Sequence, residues 1–249
     1  MKIYFRGLIL FLLLLLIWQG IVWLFHLPAY ILPSPFNVAE VFYQQPHLLL
    51  HQSIPTLIAT ILGFSLGTFF GLFAAIIVCL YKPVRNWLLP LLIVSQALPT
   101  FAIAPLLVIW FGYGLASKII ICVLMVFFPI TSATYDGLRA TPKAWLDLAT
   151  IMGGNKRRKL WHLQLPAALP HFASGIRVAS VYAPMGAIIG EWVGASSGLG
   201  YLMLNANARL QIDVVFATLI IILVFALVLY FIVDKLMAYL IPWQKIGSV

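Results

Sequence analysis

Long apolar stretches alternate with short polar ones along almost the whole chain. The apolar stretches cover about residues 7–27, 55–80, 88–111, 117–135, 176–195 and 214–236. A helix needs roughly 20 mostly apolar residues to cross the hydrocarbon core of a bilayer, and each stretch has about that length. The pattern therefore predicts an all-α membrane protein with about six transmembrane helices.

Composition strengthens this interpretation, because 63% of the 249 residues are hydrophobic, 8% are charged and the mean hydropathy is +1.07. No stretch is left over for a large soluble domain. We expect a first helix with an external segment over residues 1–54, a core of five helices over 55–236, and a cytoplasmic tail over 237–249.

Residues 7–27 superficially resemble a signal peptide. They are longer than a signal-peptide core and lack a small-x-small cleavage site, so we expect an uncleaved first span.

The lysines and arginines fall almost entirely on one side of the predicted helices. If the N-terminus is cytoplasmic, the external side receives only Lys118 and Arg209, and the cytoplasmic side receives Lys2, Arg6, Lys82, Arg85, Arg139, Lys143, Lys156, Arg157, Arg158, Lys159, Arg177, Lys235 and Lys245. Positive side chains concentrate in cytoplasmic loops, so we expect both termini inside. The net charge of +9 then needs no nucleic-acid partner, and we expect residues 156–159 to face anionic membrane lipid.

Two predicted helices carry small residues at every fourth position, which lets helix backbones approach closely. The second helix has Gly63, Gly67 and Gly71, and the fifth has Gly186, Gly190 and Gly194. These ridges pack either against neighbouring helices of the same subunit or at a dimer seam that slides during gating. In the segment between the first two helices, we expect an amphipathic stretch over residues 36–43.

The longest polar stretch, residues 136–172, is predicted to be a cytoplasmic helix-turn-helix. Threonine followed by proline at 141–142 is typical of a helix start, and the two glycines at 153–154 are typical of a helix end. Asn155 can cap a second short helix, which the Leu-Pro pair at 165–166 is expected to end. The first helix has one apolar face, formed by Trp145, Leu148, Ala149 and Met152. Either the lipid headgroups, the ends of the bundle or a groove on a partner protein must cover that face.

At this loop the chain resembles the permease subunits of bacterial binding-protein-dependent ABC importers. Their hallmark is an acidic residue and two small residues, then a glycine, an apolar residue and a Leu-Pro pair at fixed distances. The corresponding residues here are Asp147, Leu148, Ala149, Gly153, Leu163, Leu165 and Pro166. Asp replaces the usual Glu, and Leu148 replaces the first Ala. The resemblance implies a type I ABC importer permease bundle whose helix-turn-helix is a coupling loop seated in a cleft of the ATPase subunit.

Further strings narrow the resemblance to one branch of the family. Residues 32–35, 190–194 and 198–200 are similar to the sulfonate, taurine, nitrate and thiamine-precursor permeases. The strings at 96–99, 104–105, 110–114 and 135–139 most resemble permeases for pyrimidine precursors of thiamine. The resemblance implies such a precursor as substrate, with sulfonate or taurine, nitrate and riboflavin-like compounds as alternatives.

The resemblance also implies an assembly in the bacterial inner membrane. Its expected members are two identical permeases, two ABC ATPase subunits and a periplasmic or lipid-anchored substrate-binding protein. The sequence has no Walker-type phosphate-binding loop, so we expect no cofactor in this chain and expect the partner subunit to bind ATP. Cys79 and Cys122 lie in separate apolar stretches without metal-ligand spacing. We predict neither catalytic nor metal-binding residues.

Polar and aromatic side chains inside the predicted helices are candidates for the translocation pathway. Acidic groups in a membrane usually face protein or a water-filled cavity, so Glu191 either lines the pathway or makes a structural hydrogen bond, for instance near Arg209. Ser95 and Gln96, beside Pro99, either contact an uncharged heteroaromatic ligand or bond between helices at a kink. The full set of candidates is Ser95, Gln96, Pro99, Tyr182 and Glu191.

Two other functions fit the sequence less well than that of a permease. An intramembrane enzyme would need converging catalytic groups at membrane depth, but all five histidines fall in or beside loops, and Glu191 has no carboxylate partner within the spans. A non-transporting assembly subunit would have no use for the coupling motif.

Overall fold

The computed structural model describes residues 2–97 and 99–243, apart from the side chains of residues 2–4, 6–8, 11, 89, 91–93 and 95–97. Within these residues the chain forms eleven α-helices and one π-helical turn. Their bounds are α1 Lys2–Leu24, α2 Pro35–Gln44, α3 Pro46–Leu80, α4 Lys82–Ala97, α5 Thr100–Phe111, α6 Leu115–Arg139, α7 Lys143–Ile151, α8 Lys156–Lys159, the π turn Leu160–Gln164, α9 Leu165–Gly194, α10 Leu199–Ala208 and α11 Ile212–Leu240.

Four described helical segments are long and apolar enough to cross a membrane: α3, α6, α11 and the continuous segment Lys156–Gly194. The first and third predicted spans correspond to shorter apolar helical stretches, Leu12–Leu24 and Thr100–Phe111. The prediction of a single helix over 88–111 was wrong. That region forms α4 and α5, and Pro99 between them has a non-helical conformation (φ −59°, ψ 119°). Proline has no N–H with which to continue the hydrogen-bond ladder of α4.

Helix α6 lies at the centre of the bundle, between α3 and α9. Its residues Cys122, Val126 and Ile130 are fully buried, and they form a core cluster with small side chains of α9 and with Val233 and Met237 of α11. Because α3 and α9 both present glycines to α6, their backbones approach it closely. The three helices form the rigid centre on which the other elements pack.

At the predicted external end, α2 and α10 pack across the start of α11. Val38 and Val41 of α2 form a second core cluster with Leu202 of α10 and Val214 of α11. The hydroxyl oxygen of Ser34 caps α2 by accepting the N–H of Asn37 at 3.1 Å. Helix α3 begins at Pro46, earlier than the predicted start at residue 55, because proline is well suited to a first helical turn.

Candidate functional site

The predicted helix-turn-helix begins with α7, whose end has the geometry expected from its glycines. Gly153 has φ +77°, the left-handed conformation that glycine adopts without strain. The N–H of Gly153 donates to the Thr150 carbonyl at 3.0 Å, and the N–H of Gly154 donates to the Ala149 carbonyl at 2.7 Å. This pair of bonds is a Schellman motif, which ends the helix and turns the chain sharply.

The start of α7 differs from the prediction. Thr141 does not cap the helix: its hydroxyl donates to the Leu138 carbonyl at 3.2 Å, one turn back on α6, and Pro142 occupies the cap position. The reason is that α6 continues to Arg139, so Thr141 still lies within reach of the last carbonyls of α6. Thr141 therefore completes α6 and leaves the first N–H groups of α7 without a side-chain cap.

The apolar face of α7 is not covered by the subunit itself, since no residue of this helix is buried. Trp145 and Leu148 are more than half exposed, and Met152 is 79% exposed. Ala149 is half-buried, and Asp147 is exposed on the same helix. A patch of this kind on a polar loop is typical of a surface that binds another protein.

The second arm of the loop is α8 followed by the π turn. The Asn155 side chain caps α8 by accepting the N–H of Arg158 at 2.9 Å, as the sequence predicts. Lys159 donates to the Thr150 hydroxyl at 2.8 Å, which ties α8 to α7. This contact was not anticipated, because the two residues belong to different arms of the turn.

The prediction that Leu165 and Pro166 end the second helix was wrong. The chain passes from α8 through the π turn directly into α9, and the N–H of Leu165 donates to the carbonyl of Leu160. A π turn contains one residue more than an α turn. Pro166 is the second residue of α9, directly after the π turn, at the point where hydrogen bonding changes from i→i−5 to i→i−4. The proline is thereby accommodated without ending the helix.

Leu163, the apolar residue of the motif, lies between two open grooves beside α7. One groove has a volume of about 610 Å³ and includes Trp145, Leu163 and Pro166 in its lining. The other has a volume of about 370 Å³ and includes Ala149, Met152 and Leu163. Of the motif residues, Ala149, Leu163 and Pro166 thus line one surface formed by α7, the π turn and the start of α9, whereas Leu165 packs into the bundle. We call this surface the coupling surface.

The predicted pathway residues are dispersed. Ser95 and Gln96 lie on α4, but their side chains lie outside the described residues. Pro99 is exposed between α4 and α5, and Tyr182 on α9 is 41% exposed. Among the candidates whose side chains are described, Glu191 alone lies in a well-defined polar cluster, so a common pathway lined by the whole set stays a prediction.

The Glu191 carboxylate is buried, with 1% of the residue exposed. The Thr56 hydroxyl of α3 lies 2.9 Å from both carboxylate oxygens, and the N–H of Gly200 donates to Oε2 at 2.8 Å. Lys118 Nζ of α6 lies 3.8 Å from Oε1 and donates to the Ser197 carbonyl at 2.9 Å. The carboxylate therefore bonds within its own subunit, and its cationic partner is Lys118 rather than Arg209.

Sequence reasoning missed Thr56, Lys118 and Gln52 as members of this cluster. The Gln52 side chain accepts the N–H of Gly198 at 2.7 Å. One signal was present: a lysine inside an apolar stretch requires a partner, and Glu191 is the acid predicted at the same membrane level. We call Glu191, Thr56, Lys118 and Gln52 the external cluster.

Both predicted glycine ridges face α6. Gly63 and Gly67 contact Cys122 and Val126 of α6, while Gly186 contacts the backbone of Cys122 from the opposite side. Gly71 approaches Phe127 and Ile130 of α6 in the same way, Gly190 approaches Lys118, and Gly194 contacts the ring of Tyr113. Of the two alternatives drawn from the sequence, the structure places the ridges in packing within one subunit.

The family model described as "Binding-protein-dependent transport system inner membrane component" matches residues 67–246. The chain belongs to this family. It is the membrane-spanning permease subunit of an ABC importer, as the resemblance at the coupling motif indicated. The match begins within α3 and includes every residue of the coupling surface.

The relatives that match most of the chain include three permeases from different bacteria. "Probable ABC transporter permease protein" of Haemophilus influenzae is 51% identical over 224 residues, which are 90% of this chain and 91% of the relative. "Formylaminopyrimidine transport permease protein ThiX" of Halalkalibacterium halodurans is 35% identical over 236 residues, 94% of each chain. "Riboflavin transport system permease protein RibX" of Chloroflexus aurantiacus is 34% identical over 234 residues, 93% of this chain and 87% of the relative.

A solved structure confirms the fold. An inward-facing conformation of the MetNI methionine ABC transporter contains a chain that superposes with a TM-score of 0.68, covering 79% of this chain and 98% of that one. The sequences are 17% identical, so this similarity concerns the fold alone. The predicted type I importer permease bundle is thereby confirmed.

Proposed function

We propose that this permease carries a pyrimidine precursor of thiamine across the bacterial inner membrane. The observation that carries the proposal is the 35% identity to a formylaminopyrimidine permease over 94% of both chains. The strings at 96–99 and 110–114, which resemble that branch, support the same substrate. A small heteroaromatic substrate also suits a chain with few charges in its spans, since a charged cargo would need charged partners at membrane depth.

Riboflavin is the second candidate substrate, because the riboflavin permease RibX is 34% identical to this chain. The difference of one percentage point between the two relatives does not separate them. Sulfonate or taurine and nitrate remain as substrates of the wider branch. The external binding protein is expected to select among such compounds.

The working assembly that we propose has two copies of this permease, two ABC ATPase subunits and one periplasmic or lipid-anchored binding protein. This chain is not an enzyme in that assembly. ATP binds to the ATPase subunits, and the permease needs no cofactor of its own. Both termini lie in the cytoplasm, which places the coupling surface on the side where ATP is available.

In this assembly the coupling surface docks into a cleft of the ATPase subunit. Trp145, Leu148 and Met152 are exposed apolar side chains on one face of α7, and burying that face in a partner removes it from water. Asp147 and the basic residues of α8 surround the patch with charge, which favours one orientation of docking. ATP-driven closure of the two ATPases then moves α7, and the movement passes through the continuous segment 156–194.

The pathway assigned to Ser95, Gln96, Pro99 and Tyr182 belongs to this proposal. Pro99 lies at the break between α4 and α5, and a break frees backbone groups that can line a cavity. Tyr182 is partly exposed on α9 and offers an aromatic face to a planar ligand.

Uptake by proteoliposomes tests the proposal. They would contain the permease, its ATPase and its binding protein, with labelled formylaminopyrimidine, riboflavin or taurine supplied outside and ATP inside. We expect ATP-dependent uptake of formylaminopyrimidine. Transport of riboflavin or taurine instead would overturn the substrate and keep the importer, whereas no transport despite an assembled complex would contradict the substrate class as a whole.

Two variants test the coupling surface in the same preparation. Leu148→Asp places a charge on the apolar face of α7, and Lys143→Asp places the same group on the other side of that helix. We expect Leu148→Asp to lose ATPase binding and uptake, and Lys143→Asp to retain both. Equal behaviour of the two variants would contradict docking through the apolar face.

A further inference from the structure

The external cluster and the coupling surface lie at opposite ends of one helical segment. Residues 156–194 form an uninterrupted helix that includes the π turn. At roughly 1.5 Å per residue, this segment is about 58 Å long. Its first end carries the second arm of the coupling surface, and Glu191 lies one turn from its last residue.

Beyond Gly194 the chain turns through residues 195–198 and begins α10. Gly198 has φ +119°, a conformation reserved almost entirely for glycine. Because glycine tolerates many backbone conformations, the turn alone does not determine the direction of the next helix. The direction of α10 relative to α9 must therefore be set by other contacts.

Leu202 and Ala206 pack the body of α10 on α2 and α11, and side chains of the external cluster bind the start of α10. The first three N–H groups at the start of α10 bond to side chains of other helices: Gly198 to Gln52, Leu199 to Thr56 at 2.8 Å, and Gly200 to Glu191. The start of a helix carries a partial positive charge and free N–H donors, so a carboxylate there is strongly favoured. Lys118 holds the Ser197 carbonyl in the turn itself.

Both oxygens of Glu191 are occupied, which explains why a carboxylate is needed here. The single hydroxyl proton of Thr56 is directed at the carboxylate, with both oxygens 2.9 Å away; Oε1 also faces Lys118, and Oε2 accepts the N–H of Gly200. A glutamine would present an NH₂ group to one of these donors. The buried lysine would also lose its counter-charge, and an unpaired buried charge is strongly unfavourable.

We propose that Glu191 is a positioning residue for transport, which locks α10 to α9 so that movement of the coupling loop reaches the external surface facing the binding protein. This inference rests on the proposed function only in taking the binding protein as the partner. Helix α10 ends in the exposed residues Asn207, Ala208 and Arg209. Without the lock, α10 stays packed on α2 and α11 but is no longer held to α9, so a displacement of α9 is not passed on to these residues.

Spin labels test the lock without any substrate. Labels would be placed on Val178→Cys in α9 and Asn207→Cys in α10, both exposed, in a Cys79→Ser, Cys122→Ala background diluted with unlabelled permease. We expect one narrow distance distribution in the assembled complex with and without ATP, and a broadened distribution in Glu191→Gln. Equal widths in both proteins would overturn the proposal, whatever the substrate is.

The ratio of transport to ATP hydrolysis tests the consequence of the lock. We expect Glu191→Gln complexes to lose at least about tenfold in molecules imported per ATP and to lose stimulation of hydrolysis by the binding protein. Asp234→Asn is the matched control, because it removes the other described ion pair of α9, with Arg177 at 2.6 Å, far from α10. A Glu191→Gln complex that assembles in lower yield but keeps the wild-type ratio would assign a structural role only and overturn the proposal. If the wild type imports none of the compounds, ATP hydrolysis with and without the binding protein is compared between the wild type and Glu191→Gln. Loss of the stimulation in the variant alone then supports the proposal, and equal stimulation overturns it.

Discussion

Gly63 of α3 lies so close to Cys122 of α6 that a methyl group on the glycine would overlap the cysteine side chain. Gly186 of α9 approaches the backbone of the same cysteine from the other side, where an added carbon would lie 2.7 Å from its Cα. Helices in lipid gain no hydrophobic free energy by associating, so close packing and hydrogen bonds hold them together. The contact of α6 with these two glycine ridges is therefore a main source of stability in the bundle.

Replacing a ridge glycine should destabilise the bundle even when the new side chain is small. In Gly67→Ala the added carbon would lie 2.8 Å from Val126 of α6, so the helices must separate. Overpacking of this kind costs about 1–3 kcal/mol. We expect a lower thermal midpoint for the purified permease in detergent. Gly20→Ala in α1 is the control, because nothing lies within 4 Å of its added carbon; equal midpoints for the two variants would contradict the prediction.

The positions of the helices could be predicted because the bilayer imposes their length and apolarity. The chain breaks were harder to predict, because proline has different effects in different places. Pro99 separates α4 from α5, whereas Pro55 and Pro184 lie inside continuous helices. Pro166 directly follows the π turn, and the helix continues through it. Which outcome occurs depends on whether neighbouring groups satisfy the freed carbonyls, and that is decided by packing.

The coupling surface and the external cluster also differ in how much of each could be predicted from the sequence. The coupling surface is local in sequence, so its cap at Asn155 and its turn at Gly153 could be read from residue type and spacing. The external cluster joins residues from three elements, α3, α6 and α9, and Glu191 meets Thr56 only after α3 and α9 have packed on α6. The sequence identified the acid as important, but a single sequence contains no signal that pairs it with a threonine on α3.

The left-handed conformation of Gly153 predicts how strongly different substitutions at this position reduce ATP-driven uptake. Nothing lies within 4 Å of an added carbon at this position, so a larger side chain meets only backbone strain. That strain is about 1–2 kcal/mol for most residues and less for asparagine, which tolerates this conformation. We expect ATP-driven uptake to fall in the order glycine, asparagine, valine. Uptake equal in Gly153→Asn and Gly153→Val would contradict a role for the turn geometry.

The Asn155 cap predicts a local effect on α8. Asn155→Ala removes the acceptor of the Arg158 N–H, and loss of such a cap costs about 1 kcal/mol. We expect amide hydrogen exchange over residues 156–160 to become roughly fivefold faster, since 1.4 kcal/mol corresponds to a factor of ten. Asn155→Ser keeps an acceptor and should exchange as the wild type does. Faster exchange in both variants would show that the amide does not act as a cap.

The orientation of the chain predicts which face of the membrane each loop reaches. Of the two cations expected outside, Lys118 is buried against Glu191, so Arg209 is the exposed one. Lys156, Arg157 and Arg158 of α8 are exposed on the coupling loop, and this imbalance favours a cytoplasmic location. We expect a membrane-impermeant thiol reagent added outside intact cells to label Asn207→Cys and not Met152→Cys, in a Cys79→Ser, Cys122→Ala background. The cells should produce the permease without its ATPase subunits, so that both side chains are exposed and both react once the membrane is opened. Labelling of Met152→Cys in intact cells would invert the topology and place the coupling surface out of reach of ATP.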